Sequence, residues 1–408
     1  MSFLSLGLAP EIQQAIDACG YEKMTPVQRQ AIIPARQGKD ILVTAQTGTG
    51  KTASFSLPIL QQMVDTPKDS PTDSPRALIL SPTRELAEQL SKTIGVYAQF
   101  LDLNIAALYG GVKMGGQEKK LRAGVDILIA TPGRLLEHLS QCNVSLSQVD
   151  FVVLDEADRM LDMGFIADVQ TLLNHTNSNR QTMLFSATIS PAINELAHKL
   201  LKRHVEIRVT KQNSAADTIE HVLYPVEESR KIELFMALLE EHNWFQVLVF
   251  TSTKEQADNL MAKLRQCKID SAACHADKSQ GARKRALSDF KAAKIQVLVA
   301  TEVAARGLDI SGLEYVVNYN LPYLAEDYIH RIGRTGRAGS KGHAISFVSR
   351  EEERALDAIE RLIGSKIKRI HKQGFEVGDR KSLIKNIGNT TRNKKTNKVS
   401  QTKIKKRR

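Results

Sequence analysis

The sequence predicts an α/β protein with two parallel-sheet domains in tandem and a basic C-terminal tail. Short apolar runs alternate with helical patterns, the same rhythm stops and restarts once, and the positive charge collects at the end of the chain. Strands that are apolar throughout are typical of parallel sheets covered by helices on both faces. We therefore expect two such sheets, one in each half of the chain.

The strand-like runs of the first half lie within residues 41 to 208 and read ILVT, ALIL, IAAL, DILIA, FVVL, TMLF and VEIRV. The polar stretch TKQNSAADT interrupts them, and the pattern restarts with VLYPV, VLVF, SAACH, VLVAT, YVVNYN and AISFV. Proline-rich residues 65 to 76 are expected to be a surface loop, because a strand pattern resumes after them. The predicted segments are 1–29, a first domain 30–208, a linker 209–218, a second domain 219–379 and a tail 380–408.

The charge of the chain is uneven. The 408 residues include 57 Lys or Arg and 45 Asp or Glu, a formal net charge of +12. Twelve of the basic residues lie between Arg380 and Arg408, where there is no acidic residue, so the rest of the chain is formally neutral. The tail has almost no apolar content and is expected to be disordered by itself.

Other features exclude several classes of protein. The four cysteines, Cys19, Cys142, Cys267 and Cys274, have no CxxC spacing, so we expect reduced packing residues rather than a zinc site or a disulfide framework. No apolar run approaches the roughly 20 residues that cross a bilayer. The start MSFLSLGLAP lacks the basic and long apolar regions of a signal peptide. We therefore expect a cytoplasmic protein with no membrane partner.

The segment ILVTAQTGTGKT, residues 41 to 52, predicts a strand, a Gly-rich turn and the start of a helix that together hold phosphate groups. Lys51 supplies a charge for the β and γ phosphates, and the Thr52 hydroxyl suits Mg²⁺. Ala45 stands where this pattern usually has its first Gly. Gly-rich turns join many strands to helices, but GTGKT after an apolar run favours a nucleotide site. The residues expected at the phosphates are Ala45, Gln46, Thr47, Gly48, Thr49, Gly50, Lys51 and Thr52.

Two acidic residues, Asp155 and Glu156, follow the apolar run FVVL in the segment FVVLDEAD. Asp155 is expected to hold Mg²⁺, and Glu156 to orient and deprotonate the attacking water. By itself, an acidic pair after a strand is also typical of a helix N-terminus. Together with GTGKT it favours the catalytic interpretation.

Several motifs occur in one order: AQTGTGKT, PTRELA, TPGR, DEAD, SAT, ATEVAARGLD and HRIGRTGR. This set resembles that of the DEAD-box ATP-dependent RNA helicases and covers about residues 1 to 365. Within this family, the sequence is most similar to the bacterial RhlE-like subgroup, as the segments MSFLSLGL, DEADRMLDMGF and SQGARKRAL indicate. The resemblance implies two RecA-like domains, with ATP and Mg²⁺ as cofactors and RNA as the partner.

The resemblance also implies that residues 1–29 recognise adenine through GYEKMTPVQ, in which Met24 replaces the usual Pro. The amide of Gln28 can pair with the N6 amino group and the N7 acceptor of adenine. Phe3 could stack on the base, and the alternative is a hydrophobic contact of the N-terminus. Asp309 is expected to contact the ribose.

RNA contacts and coupling residues follow from the same resemblance. Exposed amides, Thr hydroxyls and Arg side chains bind phosphates without reading sequence, although each alone could be an ordinary turn or cap. Glu302 replaces the usual Asp after Thr301, which keeps the negative charge but places it on a longer side chain. The expected RNA contacts are Arg84, Gly111, Thr131, Arg134, Arg283 and Thr301, and the expected coupling residues are Asp158, Ser186, Thr188 and His330.

HRIGRTGR spaces Arg331, Arg334 and Arg337 by three residues. This spacing also fits a solvated helix face, but the two intervening glycines each cost about 1 kcal/mol in a helix, so we expect a turn. By resemblance, Arg334 and Arg337 reach the γ-phosphate as arginine fingers.

The resulting hypothesis is an RNA-stimulated ATPase that separates short RNA duplexes or remodels RNA–protein complexes, in ribosome assembly or RNA decay. An ATP-gated RNA clamp that acts as a scaffold is one alternative, and a DNA translocase is another. Ribosomal precursors and RNA-decay complexes are the expected partners of a monomeric core. We expect the tail to tether RNA nonspecifically.

Overall fold

The computed structural model describes residues 2–46, 48–67, 74–209, 219–305, 310, 312–336 and 342–376. Several predictions concern residues outside these ranges. They concern Thr47, Asp309, Arg337, most of the proline-rich loop, the linker from 210 onwards and the tail.

The chain forms two compact units. The first comprises Met1–Thr218, Ala273–Ala292 and Ala300–Ser311, and the second comprises Ile219–Ala272, Ala293–Val299 and Gly312–Arg408. The domain boundaries drawn from the sequence stay predictions.

The first sheet has seven parallel strands among the described residues, in the order β3-β4-β2-β5-β6-β1-β7. Successive residues of one strand pack into different clusters, with Ile41 and Val43 on one face and Leu42 on the other. Both faces are therefore buried, which explains the uniformly apolar strand sequences. The strands are β1 (Ile41–Thr44), β2 (Ala77–Leu80), β3 (Ile105–Leu108), β4 (Ile127–Ala130), β5 (Phe151–Leu154), β6 (Gln181–Ser186) and β7 (Val205–Arg208).

Three helices of the first half begin at a Thr or Ser whose side chain caps the helix. Thr25 and Gln28 form a capping box, and the hydroxyls of Thr83 and Ser190 each accept a backbone N–H of the helix that follows. A 3₁₀ turn over Phe3–Leu6 precedes them. The helices are α1 (Pro10–Ala18), α2 (Pro26–Arg36), α3 (Lys51–Asp65), α4 (Arg84–Tyr97), α5 (Met114–Arg122), α6 (Pro132–Ser140), α7 (Ala157–Asp162), α8 (Ile166–Asn174) and α9 (Pro191–Leu200).

The second sheet repeats the first. Its seven described strands have the order β10-β11-β9-β12-β13-β8-β14, which is the first order with each number raised by seven. The strands are β8 (Ile219–Pro225), β9 (Val247–Thr251), β10 (Ser271–Cys274), β11 (Val297–Thr301), β12 (Tyr315–Asn318), β13 (Gly342–Val348) and β14 (Lys368–Arg369). The helices are α10 (Lys231–His242), α11 (Lys254–Gln266), α12 (Gln280–Lys291), α13 (Glu302–Ala305), α14 (Ala325–Ile332) and α15 (Glu353–Ile363). The predicted fold class, two parallel-sheet α/β domains, is confirmed.

Within the described residues, no helix combines the length and the apolar character needed to span a bilayer. The four cysteines are free thiols. Cys274 is buried, as expected of a packing residue, whereas Cys142 and Cys267 are exposed, so the packing prediction is wrong for those two.

Candidate functional site

The phosphate loop, residues 45–50, connects β1 to α3 at the carboxyl edge of the first sheet. The Thr49 hydroxyl donates to the Gln46 carbonyl at 2.7 Å. Lys51 is buried at the start of α3, and its Nζ donates to the Ala45 carbonyl at 2.8 Å. The ammonium therefore lies over the loop, where backbone N–H groups at a helix N-terminus favour anions.

Gln28 braces this loop from α2. Its Oε1 accepts the Thr25 N–H at 2.8 Å, and its Nε2 donates to the Gly50 carbonyl at 3.3 Å. Gly50 has φ of +94°, and a Cβ there would lie 2.5 Å from Gln28 Nε2. Oε1 keeps a second lone pair and Nε2 keeps a second N–H, which are the groups that adenine would need. The contact with adenine stays a prediction.

Phe3 lies in the core of the first unit with 1% of its surface exposed. Its ring stacks on Tyr21, with centroids 6.2 Å apart, and the Tyr21 hydroxyl lies 3.3 Å from the Tyr97 hydroxyl. The structure thus places Phe3 in the hydrophobic contact that was the alternative, and no face is left for a base. The sequence prediction did not include Tyr21, which lies within GYEKMTPVQ and is 41% exposed.

Asp155 follows β5, and its side chain is almost completely buried. Its Oδ1 accepts the Glu156 N–H at 3.1 Å. Burial raises the pKa of Asp155 to about 6, with Glu156 and Asp158 adding to the rise and Lys51 opposing it. A buried carboxylate that is costly to charge gains from a cation, so the site fits Mg²⁺.

Glu156 adopts a left-handed backbone conformation, with φ of +54° and ψ of +53°. Such a conformation is strained for a residue with a Cβ and costs on the order of 1–3 kcal/mol. Glu156 is the residue immediately before α7, in the short connection from β5. The two consecutive carboxylates differ in exposure, since Asp155 is buried and Glu156 is half-buried.

Asp158 joins DEAD to SAT. Its Oδ2 accepts the N–H groups of Ala187 and Thr188, both at 3.0 Å, and the Thr188 hydroxyl at 3.2 Å. The Ser186 hydroxyl in turn donates to the Thr188 carbonyl at 2.7 Å. Three predicted coupling residues, Asp158, Ser186 and Thr188, are therefore brought together next to the carboxylates.

A second cluster forms along the same sheet edge, around the turn at residues 109–112. Gly111 has φ of +76°, and a Cβ there would overlap the Arg84 guanidinium. Arg134 Nη1 donates to the Val112 carbonyl at 3.2 Å. Thr131 is the first residue of TPGR, and its N–H donates to the carbonyl of Leu108, the last residue of β3, at 2.9 Å. The structure thus brings the four predicted RNA contacts of the first domain together.

Comparisons with known proteins agree with this geometry. Family models described as "DEAD/DEAH box helicase" and "Helicase conserved C-terminal domain" match residues 25–196 and 230–339. The chain is 40% identical, over 90% of its length, to the ATP-dependent RNA helicase RhlB of Pseudomonas syringae pv. tomato, of which it covers 93%. The chain belongs to the DEAD-box family of ATP-dependent RNA helicases.

Two further matches extend this result. The DEAD-box ATP-dependent RNA helicase CshA of Bacillus cereus is 38% identical over 96% of this chain and 74% of its own length. A structure of S. cerevisiae Dbp5 bound to RNA and ADP BeF3 is 30% identical, with a TM-score of 0.80, and the match covers 91% of this chain and 95% of that chain. The family prediction is confirmed, and RhlB is close to the predicted RhlE-like subgroup.

The remaining predicted residues of the helicase lie later in the chain. Thr301 ends β11, and His330 lies in α14 with Nδ1 3.7 Å from Asp327 Oδ1. Arg283 of α12 is buried and pairs with Glu85 at 2.8 Å, both within the first compact unit. Its guanidinium is therefore held by a carboxylate, a partner that the sequence prediction missed, and is not presented to solvent.

The arginines of HRIGRTGR do not share one environment. The predicted turn begins only after Ile332, where α14 ends, and Arg334 lies in that turn. Arg331, still in the helix, is 2% exposed, and its Nη1 donates to Asn318 Oδ1 at 3.2 Å and to the Asn320 carbonyl at 2.7 Å. Its guanidinium also lies 5.0 Å from the centre of the Phe250 ring. Arg331 therefore fixes α14 to the second sheet.

Proposed function

We propose that this ATP-dependent RNA helicase couples RNA-stimulated ATP hydrolysis to local separation of short RNA duplexes. The observation that carries the proposal is the arrangement of two clusters on one edge of the first sheet. One has the buried opposite charges of Lys51 and Asp155, and the other has arginines beside an exposed glycine turn. The first suits a nucleotide with its metal, and the second suits a phosphate backbone.

In the nucleotide site, we assign phosphate binding to Lys51 and the N–H groups of residues 45–52. The contact between Lys51 Nζ and the Ala45 carbonyl supports this role, because a phosphate oxygen is a stronger partner for an ammonium than a carbonyl. Thr52 and Asp155 are the residues that would hold Mg²⁺, which would neutralise phosphate charge. Glu156 accepts the proton of the attacking water.

For the base, we assign the hydrogen bonds to Gln28 and the stacking surface to Tyr21. The Tyr21 ring is partly exposed and backed by Phe3, so it is held in place while one part stays accessible. A rigid aromatic surface of this kind loses little conformational freedom when it binds a ring.

For RNA, we assign backbone contacts to Arg84, Gly111, Thr131 and Arg134, with little sequence specificity. Amide, hydroxyl and guanidinium donors suit the phosphates and 2′-hydroxyls of RNA. We further propose that Arg334 and Arg337 act on the γ-phosphate, and that ATP and RNA raise each other's affinity. That coupling is reciprocal by thermodynamic necessity.

ATP turnover with matched RNA and DNA single strands tests the proposal, together with displacement of a labelled short strand from an RNA duplex. We expect strong stimulation by RNA, weak stimulation by DNA, and displacement only with hydrolysable ATP. Equal stimulation by DNA would support a translocase instead. Stimulation without displacement would support a clamp.

The basic tail, residues 380–408, is proposed to tether RNA by its twelve positive charges. Deleting it should weaken RNA affinity, most strongly at low salt, and leave ATP turnover at saturating RNA nearly unchanged. A collapse of that turnover would contradict the proposal. We further propose a cytoplasmic, monomeric enzyme that acts on ribosomal precursors or in RNA decay, which crosslinking and sequencing of bound RNA in the native cell would test.

A further inference from the structure

The turn at residues 109–112, called here the GG turn, is held by side chains from three helices. From α4, the Arg84 guanidinium packs against Gly111, and Glu88 Oε1 accepts the Tyr109 hydroxyl at 3.2 Å. From α6, Arg134 donates to the Val112 carbonyl at 3.2 Å. The third helix, α5, contributes Gln117, whose Nε2 donates to the Tyr109 carbonyl at 2.9 Å. The turn is thus fixed at both its first and its last residues.

Gln117 is itself held by a residue outside every motif discussed above. His138 of α6 places its Nε2 3.0 Å from Gln117 Oε1. On the other side of the ring, Asn143 Nδ2 lies 3.3 Å from His138 Nδ1. A continuous path of hydrogen bonds therefore runs from Asn143 through His138 and Gln117 to the Tyr109 carbonyl.

The Tyr109 carbonyl and the Asn143 NH₂ group set the direction of the hydrogen bonds along this path. Since the Tyr109 carbonyl can only accept, Gln117 must present its NH₂ group there and its oxygen to His138. His138 then donates from Nε2–H and accepts the Asn143 amide at Nδ1, which requires a neutral imidazole. His138 and Gln117 are therefore a directed pair in which each N–H donor points along the path toward the turn and each acceptor points away from it.

The surroundings of His138 favour this neutral form. The side chain is completely buried, and the charged groups that face it are Arg134 one turn earlier on α6, Glu137 beside it, and Glu118 of α5. Burial, followed by the charge of Arg134, lowers the pKa of His138, while the two glutamates oppose the shift. The pair is thus intact at neutral pH.

We propose that His138 and Gln117 are positioning residues for RNA binding, which hold the GG turn in register with helix α6. The pair fixes the Tyr109 carbonyl, so the Gly111 N–H and the Arg84 guanidinium keep a set distance from Thr131 and Arg134. Backbone contacts to RNA need this spacing, because successive phosphates of one strand are a fixed distance apart. The inference rests on the proposed RNA contacts of the first domain.

Substitutions at the two residues separate positioning from simple packing. Gln117→Met keeps the side-chain volume but removes both hydrogen bonds, and His138→Leu removes the donor. His138→Gln retains an NH₂ group near the position of Nε2 and serves as the conservative rescue. Asn143→Ala is the matched control, because it removes only the first hydrogen bond of the path and leaves the segment from His138 through Gln117 to the Tyr109 carbonyl in place.

The main readout is ATP turnover as a function of RNA concentration. The second is the fluorescence anisotropy of labelled RNA, measured in the presence of a non-hydrolysable ATP analogue. We expect Gln117→Met and His138→Leu to raise the half-saturating RNA concentration about three- to tenfold, the loss typical of one or two hydrogen bonds. The maximal turnover and the KM for ATP should stay within about twofold. His138→Gln should recover most of the affinity, and Asn143→Ala should stay within about twofold of the parent.

Thermal unfolding distinguishes a misfolded variant from a misplaced turn. Leu196→Val, a core substitution in α9, provides a protein of reduced stability without changing any of the three helices that hold the GG turn. The inference is overturned if Gln117→Met weakens RNA binding no more than Leu196→Val at a matched midpoint, or if the KM for ATP rises in parallel. Failure of the underlying proposal looks different, since Arg134→Ala and Arg84→Ala would then also leave RNA binding unchanged.

Discussion

The phosphate loop and the GG turn of the first unit solve one steric problem in the same way and differ in their electrostatics. Each follows a parallel strand, and each contains a glycine of positive φ, Gly50 or Gly111. At Gly50 the missing Cβ makes room for the Gln28 amide, and at Gly111 it makes room for the Arg84 guanidinium. The backbone of both turns is therefore set by a neighbouring polar side chain.

The charges around the two turns differ. At the phosphate loop, Lys51 and Asp155 are both buried, and burial makes the carboxylate of Asp155 costly to ionise. At the GG turn, the buried pair His138–Gln117 is neutral, and the charged Arg134 pairs with the exposed Glu137 at 2.9 Å. Substitutions at the phosphate loop should therefore have large, pH-dependent effects, and those at the GG turn should be smaller.

The largest effect is expected for Glu156→Gln. The amide keeps the size of the side chain but cannot accept the proton of the attacking water, so kcat should fall about 10²- to 10⁴-fold. ATP-dependent RNA binding should persist, because the phosphate and RNA contacts are unchanged. Single-turnover hydrolysis and RNA anisotropy measure the two quantities.

Glu195→Gln serves as the control for Glu156→Gln, since it also removes one carboxylate from the first unit, at an exposed ion pair with Lys199 on α9. A turnover of Glu156→Gln close to that of the parent would remove Glu156 from the role of base. Full cellular function of an inactive Glu156→Gln protein would favour the clamp over the helicase.

The next largest effect is expected for Gly50→Ala. The new Cβ adopts a strained φ of +94° and lies 2.5 Å from Gln28 Nε2, so the loop and the amide must move apart. We expect the KM for ATP to rise about 10- to 100-fold, with RNA affinity in the absence of nucleotide unchanged.

Gly38→Ala separates the two causes. Gly38 also has positive φ, at +73°, but a Cβ there meets nothing within 4 Å. It should lower stability by about 1–2 kcal/mol without changing the KM for ATP. Equal KM values for the two variants would show that contact with Gln28 is unimportant.

Some features of this fold could be predicted from the sequence, and others could not. The buried parallel strands, the repeated domain and the phosphate loop could be predicted, because each depends on local patterns such as uniformly apolar runs and GTGKT. The environments of Phe3 and Arg331 could not, because each is decided by residues distant in sequence. Phe3 packs against Tyr21, and Arg331 of α14 contacts Asn318 of β12 and Phe250 of β9. Spacing by three residues cannot tell which arginine of a short helix faces inward.

A third prediction concerns Asp155→Asn, which should raise the stability of the fold while abolishing ATP hydrolysis. The pKa of Asp155 is about 6 in the fold against 3.8 as the reference for an unfolded chain, so the folded state binds the proton more tightly. Stability from this group is present below pH 4 and is lost as pH rises through 6. Without nucleotide or Mg²⁺ at pH 7.5, Asp155→Asn should therefore be more stable by about 1–3 kcal/mol, although inactive.

Chemical unfolding at several pH values checks this difference, which should shrink toward pH 4. Asp150→Asn is the matched control, because Asp150 pairs with Arg76 at 3.4 Å and its loss should not stabilise the protein. If Asp155→Asn were less stable than the parent at pH 7.5, the charged Asp155 carboxylate would not destabilise the fold.

The smallest effect is expected for Gly111→Ala, the counterpart of Gly50→Ala at the GG turn. The added Cβ overlaps the Arg84 guanidinium, but this is the far end of a flexible side chain and can swing away. We expect the half-saturating RNA concentration to rise about three- to tenfold, with the KM for ATP unchanged. Gly110→Ala is the neighbouring control, because its Cβ would make only an ordinary contact of 3.9 Å with Arg84 Nη2. If Gly111→Ala changed the KM for ATP as strongly as Gly50→Ala, the two turns would not be separate sites, and the difference in their electrostatics would lose its functional meaning.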